Sequence, residues 1–219
     1  MSERVFHPLL IIFDLDGTLI DSSTDLAISM NATREHFELP PLDPKLIYSY
    51  VGNGAPMLIR RAMPAGAPED QLDHALDFFL KFYRAHALEH TRLYAGVRDV
   101  VEQLFARGHR LAVLTNKPRR ISFDILAALG LQDRFVQVYG GDSFARKKPD
   151  PIGISQLMQD TGTSAAQTIM VGDSAVDVQT ARNAGVRSVG VLWGFQPESF
   201  EADRPDTVVA EPSELLHNL

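Results

Sequence analysis

Six short runs along this chain are rich in Val, Ile and Leu and show little alternation of apolar with polar positions: 9–13, 110–114, 135–139, 168–171, 187–191 and 207–209. Strands buried on both faces of a parallel sheet have that pattern, whereas half-exposed strands alternate with period two. Helix-length segments lie between them. In 97–107, Val97, Val100, Val101, Leu104 and Phe105 fall on one helical face, and Gly108 can close the helix in the left-handed conformation. Segment 118–129 opens with a proline and is followed by Gly130, and 174–184 ends at Gly185. Asp150 before Pro151 has the form of a helix cap with proline at the first helical position. Strand and helix alternate from about Arg92 onward, which predicts an α/β fold with a doubly wound parallel sheet, a Rossmann-like core.

One interval breaks the rhythm. From Asp21 to about His90 the periodicity predicts helices at 24–37, 55–62 and 68–87, the last carrying Leu72, Leu76, Phe79, Leu80 and Tyr83 at helical spacing. Pro40, Pro41, Pro44, Pro64 and Pro68 punctuate the joints. The expectation is a small all-helical cap domain, residues 21–90, inserted after the first strand of a core made of 1–20 and 91–219. Such a cap is a lid over whatever the edge of the sheet holds.

Composition narrows the function classes. At 219 residues, 45% hydrophobic and 22% charged, the chain has room for one full domain and a smaller companion and is neither disordered nor fibrous. A formal net charge of −7 argues against a general binder of nucleic-acid phosphates, which would be basic. The absence of Cys removes disulfides, thiolate nucleophiles, zinc ribbons and Fe–S clusters, and fits a reducing compartment. The early apolar run 9–13 is cut at once by Asp14, too short to span a membrane, and no small-residue cleavage site follows it. These features predict a soluble, cytoplasmic protein without nucleic-acid or membrane partners, a monomer or small homo-oligomer.

Candidate chemistry concentrates where strands stop. The first strand runs into Asp14-Leu15-Asp16-Gly17-Thr18, and the fourth into Gly172-Asp173-Ser174, with Asp177 four residues after Asp173. In a doubly wound sheet, ligands bind beyond the carboxyl ends of the strands at the topological switch point, so Asp14, Asp16 and Asp173 should converge there. Carboxylates that close repel unless a cation neutralises them, and an all-oxygen set suits Mg²⁺. Asp177 is either a contributor to this set or a support behind it. A pair of turn-capping carboxylates is the plain alternative for Asp14 and Asp16, and a helix cap for Thr115. As a strand-end hydroxyl followed by a backbone N–H, Thr115-Asn116 suits phosphate oxygens. In Arg146-Lys147-Lys148-Pro149-Asp150-Pro151, the prolines stiffen the backbone around Lys148, whose fixed ammonium would balance charge on a transferring phosphoryl group. Lys147 and Lys117 are the alternatives for that role.

Taken in order, Asp14-x-Asp16-Gly17-Thr18, Thr115-Asn116, Lys148-Pro149 and Gly172-Asp173-Ser174-x-x-Asp177 resemble the four motifs of the haloacid dehalogenase-like hydrolases, and the resemblance covers nearly the whole chain, cap included. It implies a phosphomonoester hydrolase in which Asp14 attacks phosphorus to form an aspartyl-phosphate and Asp16 protonates the leaving oxygen and later activates water. It also implies Mg²⁺ on Asp14, Asp173 and the backbone carbonyl of Asp16, with Thr115, Asn116 and Lys148 on the phosphoryl oxygens. The second aspartate separates the chain from dehalogenases, and Thr18 from the related sugar phosphomutases, which commonly carry valine there.

The substrate evidence lies in the cap. Val51-Gly52-Asn53-Gly54-Ala55 is similar to a loop that faces the active site in bacterial phosphoglycolate phosphatases, and segments 19–22 and 95–97 resemble that branch too. On this reading Asn53, Gly54 and Arg60 touch a small phosphorylated metabolite, most simply 2-phosphoglycolate, and Arg60 or Arg61 pairs with its carboxylate. A solvent-facing role for both arginines stays open. A sugar-phosphate or nucleoside-monophosphate phosphatase, a sugar phosphomutase and a non-catalytic phosphate-binding scaffold remain the alternatives.

Overall fold

The computed structural model describes residues 8–219, so residues 1–7 of the expected core segment lie outside the described residues. The sheet is built on β1 (Leu10–Phe13), whose four residues are all buried. It pairs in parallel with β4 (Arg110–Leu114) on one side and β6 (Thr168–Gly172) on the other. Adding β5 (Phe135–Tyr139), β7 (Arg187–Val191) and β8 (Thr207–Val209) gives the strand order β5-β4-β1-β6-β7-β8, parallel throughout.

Side chains of a strand alternate between faces, and here both faces are dry. Leu10, Ile12, Ala112, Leu114 and Met170 pack under α7 (Ile152–Thr161) and α8 (Ala175–Ala184). Ile11, Phe13, Leu111, Val113, Ile169 and Val171 belong to the opposite, larger core, which is completed by α5 (Val97–Ala106), α6 (Arg119–Ala128) and α9 (Leu215–Asn218). This is the doubly wound arrangement that the unalternating runs imply.

Three local expectations shift. Phe105 is 43% exposed rather than in the apolar face of α5, and carries the Arg134 guanidinium over its ring at 5.1 Å. Pro151 sits in the cap position before α7 rather than in its first turn, while the Asp150 carboxylate still accepts from Ile152 N–H at 3.0 Å. A short helix over Pro44–Tyr48 was not anticipated, although Asp43 caps it through Lys45 N–H at 2.7 Å and Pro44 opens it, the same Asp-Pro signal.

The insertion leaves the core at β2 (Ile20–Asp21) and returns at β3 (Arg92–Leu93), two strands paired antiparallel, so its ends are adjacent. Between them run α1 (Ser23–His36), α2 (Pro44–Tyr48), α3 (Ala55–Ala62) and α4 (Glu69–His86), an all-helical unit. Leu72, Ala75, Phe79 and Tyr83 form the buried stripe of α4. Asp25, in the first turn of α1, ties the two connections together. Its carboxylate accepts from His90 N–H (3.0 Å), His90 Nδ1 (2.8 Å), Thr91 N–H (2.8 Å) and the Thr91 hydroxyl (2.8 Å). Burial alone would raise this carboxyl, but the Thr91 and His90 donors outweigh it and hold it below the ordinary range.

A carboxyl depressed in the folded state lends stability that is present above its unfolded value and lost as pH falls through the folded one. Urea unfolding of Asp25→Ala at neutral pH is therefore expected to show about 2 kcal/mol or more of lost stability. The gap from wild type should narrow towards about pH 3.5. Coincident curves at neutral pH would contradict the tie.

Candidate active site

Backbone pairing carries β1 past its last residue: Phe13 sits opposite Val171, and Asp14 N–H donates to the Val171 carbonyl at 2.9 Å. Asp14 and Asp173 therefore leave neighbouring strand ends together. Asp177 joins them because α8 starts with a capping box, in which its Oδ2 accepts from Ser174 N–H (3.2 Å) and Ser174 Oγ (2.8 Å). One carboxylate oxygen from each of Asp14, Asp173 and Asp177 lies within 4.8 Å of the others, and all three residues are buried.

Lys148 enters this cluster from the segment between β5 and α7, where the Lys148–Pro149 peptide bond is cis. Its Nζ lies 2.9 Å from Asp14 Oδ1 and 2.6 Å from Asp177 Oδ1. Burial disfavours the ammonium, but Asp14 and Asp177 outweigh it and raise its pKa, so the charge is kept. The carboxylates are less well served. Burial pushes Asp14 up to about 6, with Asp177 adding to the rise and Lys148 opposing it. Burial likewise lifts Asp173 well above the carboxylate range, helped by Asp177 and Asp14. Three carboxylates against one ammonium leave excess negative charge in a dry place, and the donors are all oxygen. Both properties fit a hard divalent cation.

Two glycines make room for Asp173. Gly17 has φ +82°, and a Cβ there would stand 2.1 Å from Asp173 Oδ2; one at Gly194 would stand 2.2 Å from Asp173 Cβ. From the same loop, Phe195 N–H donates to Asp173 Oδ2 at 2.7 Å. This loop after β7 was not anticipated as part of the site, since no motif marks Gly194 or Phe195 in the sequence.

Asp16 is kept apart from the cluster. Its carboxylate accepts from Ser22 Oγ at 2.5 Å and from Lys117 Nζ at 2.8 and 3.1 Å. Lys117 Nζ also donates to the Tyr83 hydroxyl at 2.5 Å and lies 4.4 Å from that ring's centroid. Burial disfavours this ammonium too, and Asp16 more than restores it. Burial pushes the Tyr83 phenol up to about 12, so it stays a neutral hydroxyl. Lys117, an alternative to Lys148 on sequence grounds, thus joins the site through Asp16, and Tyr83 joins it unanticipated. Tyr83 carries a helical-stripe signal that reads simply as core.

Thr115 and Asn116, buried at the end of β4, adjoin β1 as expected. Asn116 Nδ2 donates to the carbonyls of Lys148 (3.0 Å) and Gly52 (2.9 Å), the second a tie to the cap. Gln196 Nε2 adds another at Val51 O, 2.7 Å. Between sheet and cap lies a narrow cleft lined by Asp14, Asp16, Thr115, Lys117, Gly54 and Phe79 among others. The structure does not bring the other expected cap residues here. Arg60 is half-exposed and forms a bidentate pair with Glu69 (2.9 and 2.7 Å). Asn53 Oδ1 accepts from Arg61 at 2.9 Å, and neither residue lines the cleft.

The family model of the haloacid dehalogenase-like hydrolases matches residues 11–191. The phosphoglycolate phosphatase of Chromobacterium violaceum is 40% identical over 217 residues, covering 97% of this chain and 98% of that protein. That of Vibrio parahaemolyticus is 37% identical over 214 residues, 94% of each. A crystal structure from Haemophilus somnus 129PT, described as a predicted phosphoglycolate phosphatase, superposes with a TM-score of 0.91 at 32% identity, covering 97% of this chain and 98% of that one. With the motifs at the ends of adjacent strands and the helical insertion between β2 and β3, the chain belongs to the haloacid dehalogenase-like hydrolases and resembles their helical-cap phosphatases.

Proposed function

We propose that this protein is a Mg²⁺-dependent phosphomonoester hydrolase that forms an aspartyl-phosphate on Asp14, with 2-phosphoglycolate as its substrate. The observation that carries this reading is the buried triangle of Asp14, Asp173 and Asp177 against Lys148, of which Asp14 and Asp173 line the cleft, with Asp16 held separately beside it. Identity of 40% and 37% to phosphoglycolate phosphatases over nearly the full chain supports the choice of substrate.

In this mechanism each side chain has one task. Leu15 N–H and Lys148 both bond Asp14 Oδ1, which leaves Oδ2 to attack phosphorus. Asp16 protonates the leaving oxygen and afterwards takes a proton from the attacking water. Thr115, Asn116 and Lys148 steady the phosphoryl oxygens, so that the transfer depends mostly on position and charge. Asp14, Asp173 and the Asp16 backbone carbonyl would hold Mg²⁺, with Asp177 in support through Lys148. Bound there, the cation neutralises charge on the phosphoryl oxygens and on the carboxylates. Residues 21–90 act as the cap unit on a core of 1–20 and 91–219, opening to admit substrate and closing to exclude water.

Phosphate release from small phosphomonoesters, with Mg²⁺ and with excess EDTA, tests the reading directly. It expects Mg²⁺-dependent release with kcat/KM highest for 2-phosphoglycolate. Asp14→Asn should lose at least about 10³-fold in kcat while circular dichroism stays native. Residual wild-type turnover in a clean preparation would remove Asp14 as nucleophile.

The cation makes a separate prediction. A carboxyl raised in the folded state is stabilised by its proton, and the metal-free protein loses that stabilisation as pH rises through about 6. A divalent cation competes for the same oxygens. The increase in Tm on adding Mg²⁺ should therefore be larger near about pH 8 than near about pH 5, and absent in Asp173→Asn. A pH-independent shift that survives in Asp173→Asn would place the cation elsewhere.

A further inference from the structure

We propose that Lys117 selects esters with an anionic leaving group, by pairing with a substrate carboxylate when Asp16 turns to the leaving oxygen. The proposal rests on hydrolysis at Asp14 and deepens it, assigning the preference for a carboxylate to one side chain.

Among the described residues lining the cleft, Lys117 is the one with a cationic side chain; Asp14, Asp16 and Asp173 are the other charged ones. The remaining cations nearby are committed or misplaced. Lys148 bridges Asp14 and Asp177. Arg60 is spent on Glu69 at the surface. Lys147 stands against Gly54, its Nζ 2.8 Å from where a Cβ would lie, outside the cleft lining.

Lys117 is also held in one place. Its side chain is 4% exposed, fixed by both oxygens of Asp16 and by the Tyr83 hydroxyl from the cap helix. A buried ammonium that loses its carboxylate partner is costly, because little solvent can replace it. When Asp16 engages the leaving oxygen, Lys117 keeps only the neutral Tyr83 hydroxyl. In an ester of a 2-hydroxy acid, the carboxylate carbon is two bonds from the leaving oxygen, so the carboxylate arrives beside Asp16, where Nζ already waits. An uncharged leaving group offers nothing there and leaves the ammonium unpaired. Selectivity therefore comes from penalising neutral esters as much as from attracting anionic ones.

The test compares kcat and KM for 2-phosphoglycolate and 3-phosphoglycerate against counterparts with an uncharged leaving group, ethyl phosphate and glycerol 1-phosphate. The enzymes are wild type, Lys117→Gln, which keeps hydrogen bonds but no charge, and Lys117→Arg. Because Lys117 also serves Asp16, activity on both ester classes changes in Lys117→Gln, but the ratio of kcat/KM for the carboxylate esters to that for the neutral ones should fall about 30-fold or more. Lys117→Arg should restore part of the carboxylate preference. Equal losses on both ester classes would overturn the proposal and leave Lys117 as a support for Asp16. An unchanged preference in Lys117→Gln would overturn it as well. If wild type prefers 3-phosphoglycerate and that preference collapses in Lys117→Gln, the glycolate reading fails while the anchor stands.

Discussion

Four charged groups, Asp14, Asp173, Asp177 and Lys148, share one buried place at the ends of β1 and β6, and their balance constrains everything around them. Each buried ion carries a desolvation cost of several kcal/mol, and one ammonium cannot offset three carboxylates. The arrangement persists because the backbone leaves no choice. Parallel pairing fixes Asp14 beside β6, and the capping box turns Asp177 back towards it. Gly17 and Gly194 surrender the volume that Asp173 occupies. The excess of negative charge is what makes the place receptive to a cation.

Asp16 stands two residues from Asp14 yet faces different partners. Leu15 fills the core between them, and Lys117 with Ser22 draws the Asp16 carboxylate away from the triangle. Two ammoniums thus divide two aspartates of one short motif, one for each. In the two-step phosphoryl transfer proposed above, that division lets neighbouring carboxyls take different parts, since neither is forced to share the other's counter-ion.

The cap reaches this chemistry through a small number of contacts. Tyr83 of α4 packs in the cap's apolar stripe, and at the same time its hydroxyl oxygen accepts from Lys117 Nζ. Asn116 and Gln196 hold the carbonyls of Gly52 and Val51. The antiparallel pair β2–β3, with Asp25 bonded to His90 and Thr91, brings both connections of the insertion together. The helical unit is therefore tied at its base and hydrogen-bonded at its rim.

The sheet and the position of the candidate site were legible in the chain because both follow from local rules. Unalternating Val, Ile and Leu runs mark strands covered on both faces, and acidic residues directly after such runs must emerge at the carboxyl edge. The order of the four motifs supplied the rest of the core. The loop holding Gly194 and Phe195 stayed silent, since its contribution is a backbone N–H and an absent side chain, which no residue type announces. Arg60 looked like a carboxylate anchor and instead meets Glu69, because the side on which a cap helix presents a residue depends on how helices pack rather than on periodicity. By itself the sequence determined the six strands of the main sheet, the helices between β2 and β3 and the identity of the groups at the strand ends, while the two-residue strands β2 and β3 were not anticipated. Only the tertiary structure decided which charge meets which, because partners as far apart as Tyr83, Lys117 and Asp16 are joined by packing across two units and not by spacing along the chain.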